Sequence, residues 1–117
     1  MNPRMPTTVL IVDDHPSFRS VARMLLETEG YEVVGEAPDG EAALELAAEL
    51  SPDVVLLDLG LPGIDGFEVA RRLPPGPAIV LVSSRDARDI GPLGDPVKGF
   101  IAKGELSGDS LREVLSA

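Results

Sequence analysis

Residues Val54 to Leu57 are four aliphatic side chains in a row, closed by a carboxylate, Asp58, and a Gly- and Pro-studded loop in the stretch VVLLDLGLPGIDG. A strand with one wet face alternates apolar and polar residues, whereas a strand covered on both faces does not. TVLIVDD (Thr8 to Asp14) and AIVLVSS (Ala78 to Ser84) have the same unbroken character. Such runs restrict the chain to a parallel sheet with helices on both sides.

The intervening segments carry the helices this architecture needs. In PSFRSVARMLLETEG, Phe18, Val21, Ala22, Leu25 and Leu26 recur at helical spacing and Gly30 is a stop signal. YEVVGEA (Tyr31 to Ala37) is a short strand, after which Asp39 offers an N-cap to GEAALELAAEL, with Ala43, Leu46, Ala47 and Leu50 on one face. Ser51 and Pro52 break that helix. A third helix over GFEVARRL is ended by Pro74, Pro75, Gly76 and Pro77. KGFIAK (Lys98 to Lys103) is the fifth strand, and SGDSLREVLS closes the chain with Leu111, Val114 and Leu115 inward. RDARDIGPLGDPV stands where a fourth helix belongs, but Gly91, Pro92, Gly94 and Pro96 leave room for only a short or irregular element.

The 117 residues suit one compact domain, and with aromatics at 3% and no Trp its core is built from Val, Leu, Ile and Ala. Without cysteine, disulfides and thiolate metal sites are excluded. No leader pattern or run of membrane-spanning length is present, so a soluble cytoplasmic protein is expected. The formal net charge of −10 argues against nucleic acid as a direct partner. The acidic excess serves solubility, or gathers in part at a cation site.

In open parallel α/β sheets, ligands bind at the carboxyl ends of the strands. Here the first strand ends in Asp13 and Asp14, the third in Asp58, the fourth in Ser83 and Ser84, and the fifth in Lys103. Clustered carboxylates repel unless a positive charge intervenes. Hard oxygen ligands with open positions suit Mg²⁺, and Lys103 adds a fixed cation. A cation, an ammonium and a hydroxyl around one aspartate make a pocket for a phosphoryl group, with Asp58 as its acceptor. Singly, each residue has a plainer reading: an Asp after a strand forms turns, a Lys is solvated and a Ser caps the next element. Four strand ends would have to imitate one site together for the plain readings to hold. His15, the sole histidine, fits a helix start at the rim better than a phosphohistidine. Phe18 and Phe67 fit helix cores, and Arg71, Arg72, Arg85 and Arg88 fit solvated surface charge.

VLIVDDH, VVLLDLGLPGIDGFEVARRL, IVLVSS and GFIAK together resemble the receiver domain of bacterial two-component response regulators, in order and over nearly the whole chain. The resemblance implies one receiver domain over residues 1–117, with a flavodoxin-like, doubly wound α/β fold and a five-stranded parallel sheet of order 2-1-3-4-5. It assigns Asp58 as phosphoacceptor in a D-x-x-x-P-x-x-x-G pattern with Pro62 and Gly66. Mg²⁺ is then held by Asp14, Asp58 and the Gly60 carbonyl, with Asp13 acting largely through water. Ser83 and Phe100 become switch residues, and Lys103 pairs with the phosphate. The implied donor is a sensor histidine kinase or phosphotransfer protein. The implied result is a changed surface for an unnamed output partner, with phosphorylation-dependent dimerisation left open and no role as a metabolic enzyme. Gly104 stands where the family usually has Pro, and the Gly/Pro-rich segment after Arg85 departs most from the family pattern.

Two other functions compete. An aspartyl-nucleophile, Mg²⁺-dependent phosphohydrolase of the haloacid dehalogenase type wants an acid/base Asp where Gly60 stands. A pseudo-receiver that only binds protein would lack an essential residue, yet Asp14, Asp58, Ser83 and Lys103 are all present.

Overall fold

Each unbroken apolar run becomes a strand whose alternate side chains enter two different core layers. The computed structural model describes residues 7–84 and 96–116. Its elements are β1 (Thr8–Val12), α1 (Pro16–Thr28), β2 (Glu32–Ala37), α2 (Gly40–Leu50), β3 (Val54–Asp58), α3 (Gly66–Arg72), β4 (Ala78–Ser83), β5 (Val97–Ala102) and α4 (Gly108–Ser116), with a 3₁₀ turn over Lys103–Glu105. All strand pairs are parallel and the order is β2-β1-β3-β4-β5, as expected. The short or irregular helix expected after Ser84 falls on residues 85–95, outside the described residues.

On one face, Leu10, Val12, Val55, Leu57 and Leu81 pack with Ala43 and Ala47 of α2 and Val69 and Ala70 of α3. On the other, Val9, Ile11, Val54, Leu56 and Val80 meet Ala22 and Leu26 of α1 and Leu111 of α4. β3 is buried along its whole length, which accounts for its lack of polar alternation. Helix α1 departs from expectation: Ala22 and Leu26 are fully buried, but Val21 and Leu25 are 47% and 37% exposed. The contact stripe is narrow, running along an i, i+4 row, and the residues just before each member turn about 100° away from it.

Local chemistry fixes the helix ends. The Asp39 carboxylate accepts the Ala42 N–H at 2.9 Å, and the Asp65 carboxylate accepts the Glu68 N–H at 2.9 Å. Ser107 and Ser110 cap α4 reciprocally, each hydroxyl accepting the other's backbone N–H at 2.9 Å. At Gly66 a side chain would place its Cβ 2.6 Å from the Asp58 carbonyl oxygen and 2.9 Å from the Leu59 Cα. The glycine therefore lets the start of α3 lie directly against the chain leaving β3. At the opposite sheet edge, Thr8 and Asp53 bind each other through backbone and side chain, which sets the register of β1 against β3. Among the described residues, no helix is long and apolar enough to cross a membrane.

Candidate functional site

Parallel strands bring their carboxyl ends to one edge. Asp58 is the last residue of β3 and Ser83 the last of β4, while Asp13 and Asp14 follow β1 directly and Lys103 follows β5 directly. β1 and β3 are neighbours although β2 lies between them in sequence, so the acidic pair and Asp58 meet at the point where strand order reverses.

Asp13 is fully buried. Its Oδ1 accepts the His15 backbone N–H at 2.8 Å, and the His15 Nδ1 lies 3.1 Å from the same oxygen. Its Oδ2 pairs with Lys103 Nζ at 2.6 Å as an ion pair whose angles do not make a hydrogen bond. Asp58 is also buried, and its Oδ1 accepts the Gly60 N–H at 3.3 Å and lies 3.6 Å from Lys103 Nζ. Asp14 is half-buried, with Oδ1 lacking a hydrogen bond and sitting 3.2 Å from His15 Nδ1. Ligand atoms of Asp13, Asp14, His15 and Asp58 all lie within 4.8 Å of one another.

Three carboxylates gather here, and one lysine pairs with two of them. Burial, and next the charge of Asp13, raise the Asp58 pKa above its ordinary value, with Asp14 adding a smaller push. The Gly60 N–H and Lys103 pull the other way without reversing the outcome. Asp14 Oδ1, without a hydrogen bond, gives the cluster spare acceptor capacity in a buried setting. A hard divalent cation fits this donor set.

Ser83 is buried, one residue beyond Val82, which pairs in register with Asp58, so it stands on the adjacent strand at the same edge. Phe100 is half-buried on β5, opposite Leu81, against the core layer that carries α2 and α3. Gly60 is exposed in the loop after β3. Thus Asp13, Asp14, Asp58 and Lys103 are brought together, with Gly60 joined through its backbone and Ser83 at the same edge, while Phe100 lies further down β5 against the core.

Several participants escaped sequence reasoning. His15 sits at the rim as expected, yet its ring leans over both acids of the pair. Arg19 donates to the Asp13 backbone oxygen at 2.6 Å and pairs with Glu36, which also holds Arg23 at 2.7 Å. Both arginines are partners of Glu36, and its carboxyl is held below the ordinary range, chiefly by Arg23. The Phe18 ring lies beneath Lys103, with Nζ 4.6 Å from its centroid. An i, i+4 pair of arginines after the acidic run was the available signal for the first network, but its carboxylate comes from β2. The aromatic contact joins residues too far apart in sequence to show in any spacing.

Comparison with known proteins is consistent across sequence and structure. The family described as response regulator receiver domain matches residues 9–107. BvgA of Bordetella pertussis is 41% identical over 97% of this chain, which covers 54% of that protein. The chain spans about half the length of the first curated relatives it matches. A LuxR-family two-component response regulator from Aurantimonas is 30% identical and superimposes with a TM-score of 0.80, over 93% of this chain and 81% of its own. The response regulator domain of Thermotoga maritima CheB is 27% identical with a TM-score of 0.82, over 97% of this chain and 96% of its own.

Proposed function

The chain belongs to the response regulator receiver domain family of two-component systems, and on that premise we propose that it accepts a phosphoryl group on Asp58. The observation that carries the proposal is the setting of Asp58: a buried carboxylate with a raised pKa, 3.6 Å from Lys103, in a cluster whose ligand atoms lie within 4.8 Å.

Asp14, Asp58 and the Gly60 carbonyl would hold Mg²⁺, with Asp13 acting through water. The ion would neutralise charge on the transferring group and on the carboxylates around it. An Asp58 oxygen attacks the phosphorus of a kinase or phosphotransfer-protein phosphohistidine. The new O–P bond forms as the P–N bond breaks, and the imidazole leaves with the electron pair. Lys103 pairs with the phosphoryl oxygens, and the Ser83 hydroxyl donates to one of them. Movement of Ser83 draws the adjoining chain with it, and Phe100 turns further inward, which changes the surface around β5 and α4. Water later cleaves the acyl phosphate, returning phosphate and the Asp58 carboxylate.

This role is that of a phosphoacceptor in cytoplasmic signalling, not of a metabolic enzyme. The output partner is a protein or an attached domain that reads the altered face, and two phosphorylated copies can pair through it. Gly60 in place of an acid/base Asp disfavours a phosphohydrolase, and the complete Asp14, Asp58, Ser83, Lys103 set disfavours a pseudo-receiver.

Intact mass after incubation with acetyl phosphate tests the proposal. One added phosphoryl group is expected with Mg²⁺, and none with EDTA or in Asp58→Asn. Absence of any adduct in the wild type, together with no spectral change on adding beryllofluoride, would leave a protein-binding module in its place.

A further inference from the structure

We propose that Phe18 is a positioning residue for phosphoryl transfer: its ring face holds the Lys103 ammonium at the junction of Asp13 and Asp58. The inference rests on the phosphoacceptor reading of the same site and adds a residue to it. Lys103 ends a flexible four-carbon stem, so some contact must restrict where its charge sits. Its side chain is only 17% exposed, so water supplies little of that restraint. Two carboxylates lie beside the ammonium, Asp13 at 2.6 Å and Asp58 at 3.6 Å. The face of Phe18 lies 4.6 Å from Nζ, where the ring quadrupole attracts a cation, the more strongly for its partial desolvation.

The elements that carry these residues are themselves fixed. Phe18 is the third residue of α1, whose first turn begins at Pro16 and is set by the pre-organised φ of that proline. Lys103 opens the 3₁₀ turn that comes after β5. The contact therefore spans from the helix after the first strand to the turn after the fifth. Phe18 also packs against the core layer that carries α1 and α4, so its ring cannot easily track the lysine elsewhere. An incoming phosphoryl group on Asp58 would meet an ammonium already held in place, an arrangement that lowers the ordering needed in the transition state.

The test uses Phe18→Leu, which keeps apolar bulk and removes the π face, and Phe18→Tyr, which restores it. With acetyl phosphate and Mg²⁺, Phe18→Leu is expected to slow phosphorylation by roughly threefold to tenfold and Phe18→Tyr to stay near wild type. The Mg²⁺ concentration giving half-maximal rate should change less than the rate itself, because the ring's cation–π contact is to Lys103 and not to a carboxylate. In proton NMR, the Lys103 ε-methylene should be shifted upfield by the ring in the wild type and Phe18→Tyr, and lose that shift in Phe18→Leu. A wild type that takes phosphate while Phe18→Leu keeps its rate overturns the positioning role. So does a tyrosine variant that fails to restore the rate, or a Lys103 ε-methylene without ring shift. A wild type that takes no phosphate and does not respond to beryllofluoride overturns the phosphoacceptor reading, with the ring shift reporting separately whether Phe18 holds Lys103.

Discussion

Two charged clusters flank the start of α1, and they treat their carboxylates in opposite ways. Glu36 sits between Arg19 and Arg23, at 3.1 and 2.7 Å, and its pKa is lowered. Asp58 shares one lysine with Asp13, has Asp14 close by, and its pKa is raised. In the first cluster Glu36 meets two guanidinium groups, so its charge is fully answered and the result is a clamp between β2 and α1. In the second, anions outnumber cations, and the imbalance leaves the site ready to take a divalent ion and a reacting group. The chain's overall charge of −10 does not reveal this difference; the local ratio of partners does.

The largest effect should come from withdrawing divalent cations from the acidic cluster. With EDTA, phosphoryl uptake measured by intact mass should fall below detection, while the thermal transition stays cooperative because the Glu36 clamp needs no metal. Next in size, Asp14→Asn should weaken Mg²⁺ binding by about tenfold or more in calorimetric titration. Glu36→Gln should leave Mg²⁺ affinity unchanged, and equal losses in both variants would dissolve the distinction between the clusters.

Stability should respond in opposite directions. Glu36→Gln removes a partly buried acceptor of two guanidinium groups and should cost about 1 kcal/mol, lowering Tm by about 4 °C or more. Asp58→Asn relieves burial of a charge among like charges and should raise Tm by a few degrees at pH 7 without Mg²⁺. The signs of the shifts set the pH dependence. Because folding raises the Asp58 pKa, wild-type stability recovers as pH falls through that folded value, so the advantage of Asp58→Asn should shrink on acidification. Because folding lowers the Glu36 pKa, its contribution is present above the ordinary Glu value and is lost as pH falls through the folded one. Thermal melts of both variants between pH 7 and pH 4 check this crossing.

The fold was legible in the sequence because burial on both faces leaves a plain trace. Runs such as Val54–Leu57 and Val9–Val12 mark strands to within a residue or two, and Asp39, Pro52 and Gly66 punctuate the helices. The acid cluster was legible too, since parallel topology sends every strand end to one edge. What did not show was set by partners distant in sequence. Glu36 is 17 residues from Arg19, and Phe18 meets Lys103 across nearly the whole chain. Nor does helical spacing state how wide a buried stripe is: Val21 and Leu25 share the spacing of Ala22 and Leu26 and yet lie exposed.

Of the three clustered carboxylates, Asp58 is the one proposed to take the phosphoryl group. Borohydride reduction of the phosphorylated protein, with peptide sequencing in the mass spectrometer afterwards, converts an acyl phosphate into an alcohol and marks its position. The account predicts a single homoserine at position 58. Reduction at position 13 or 14, or a phosphoryl group retained on His15, would contradict it.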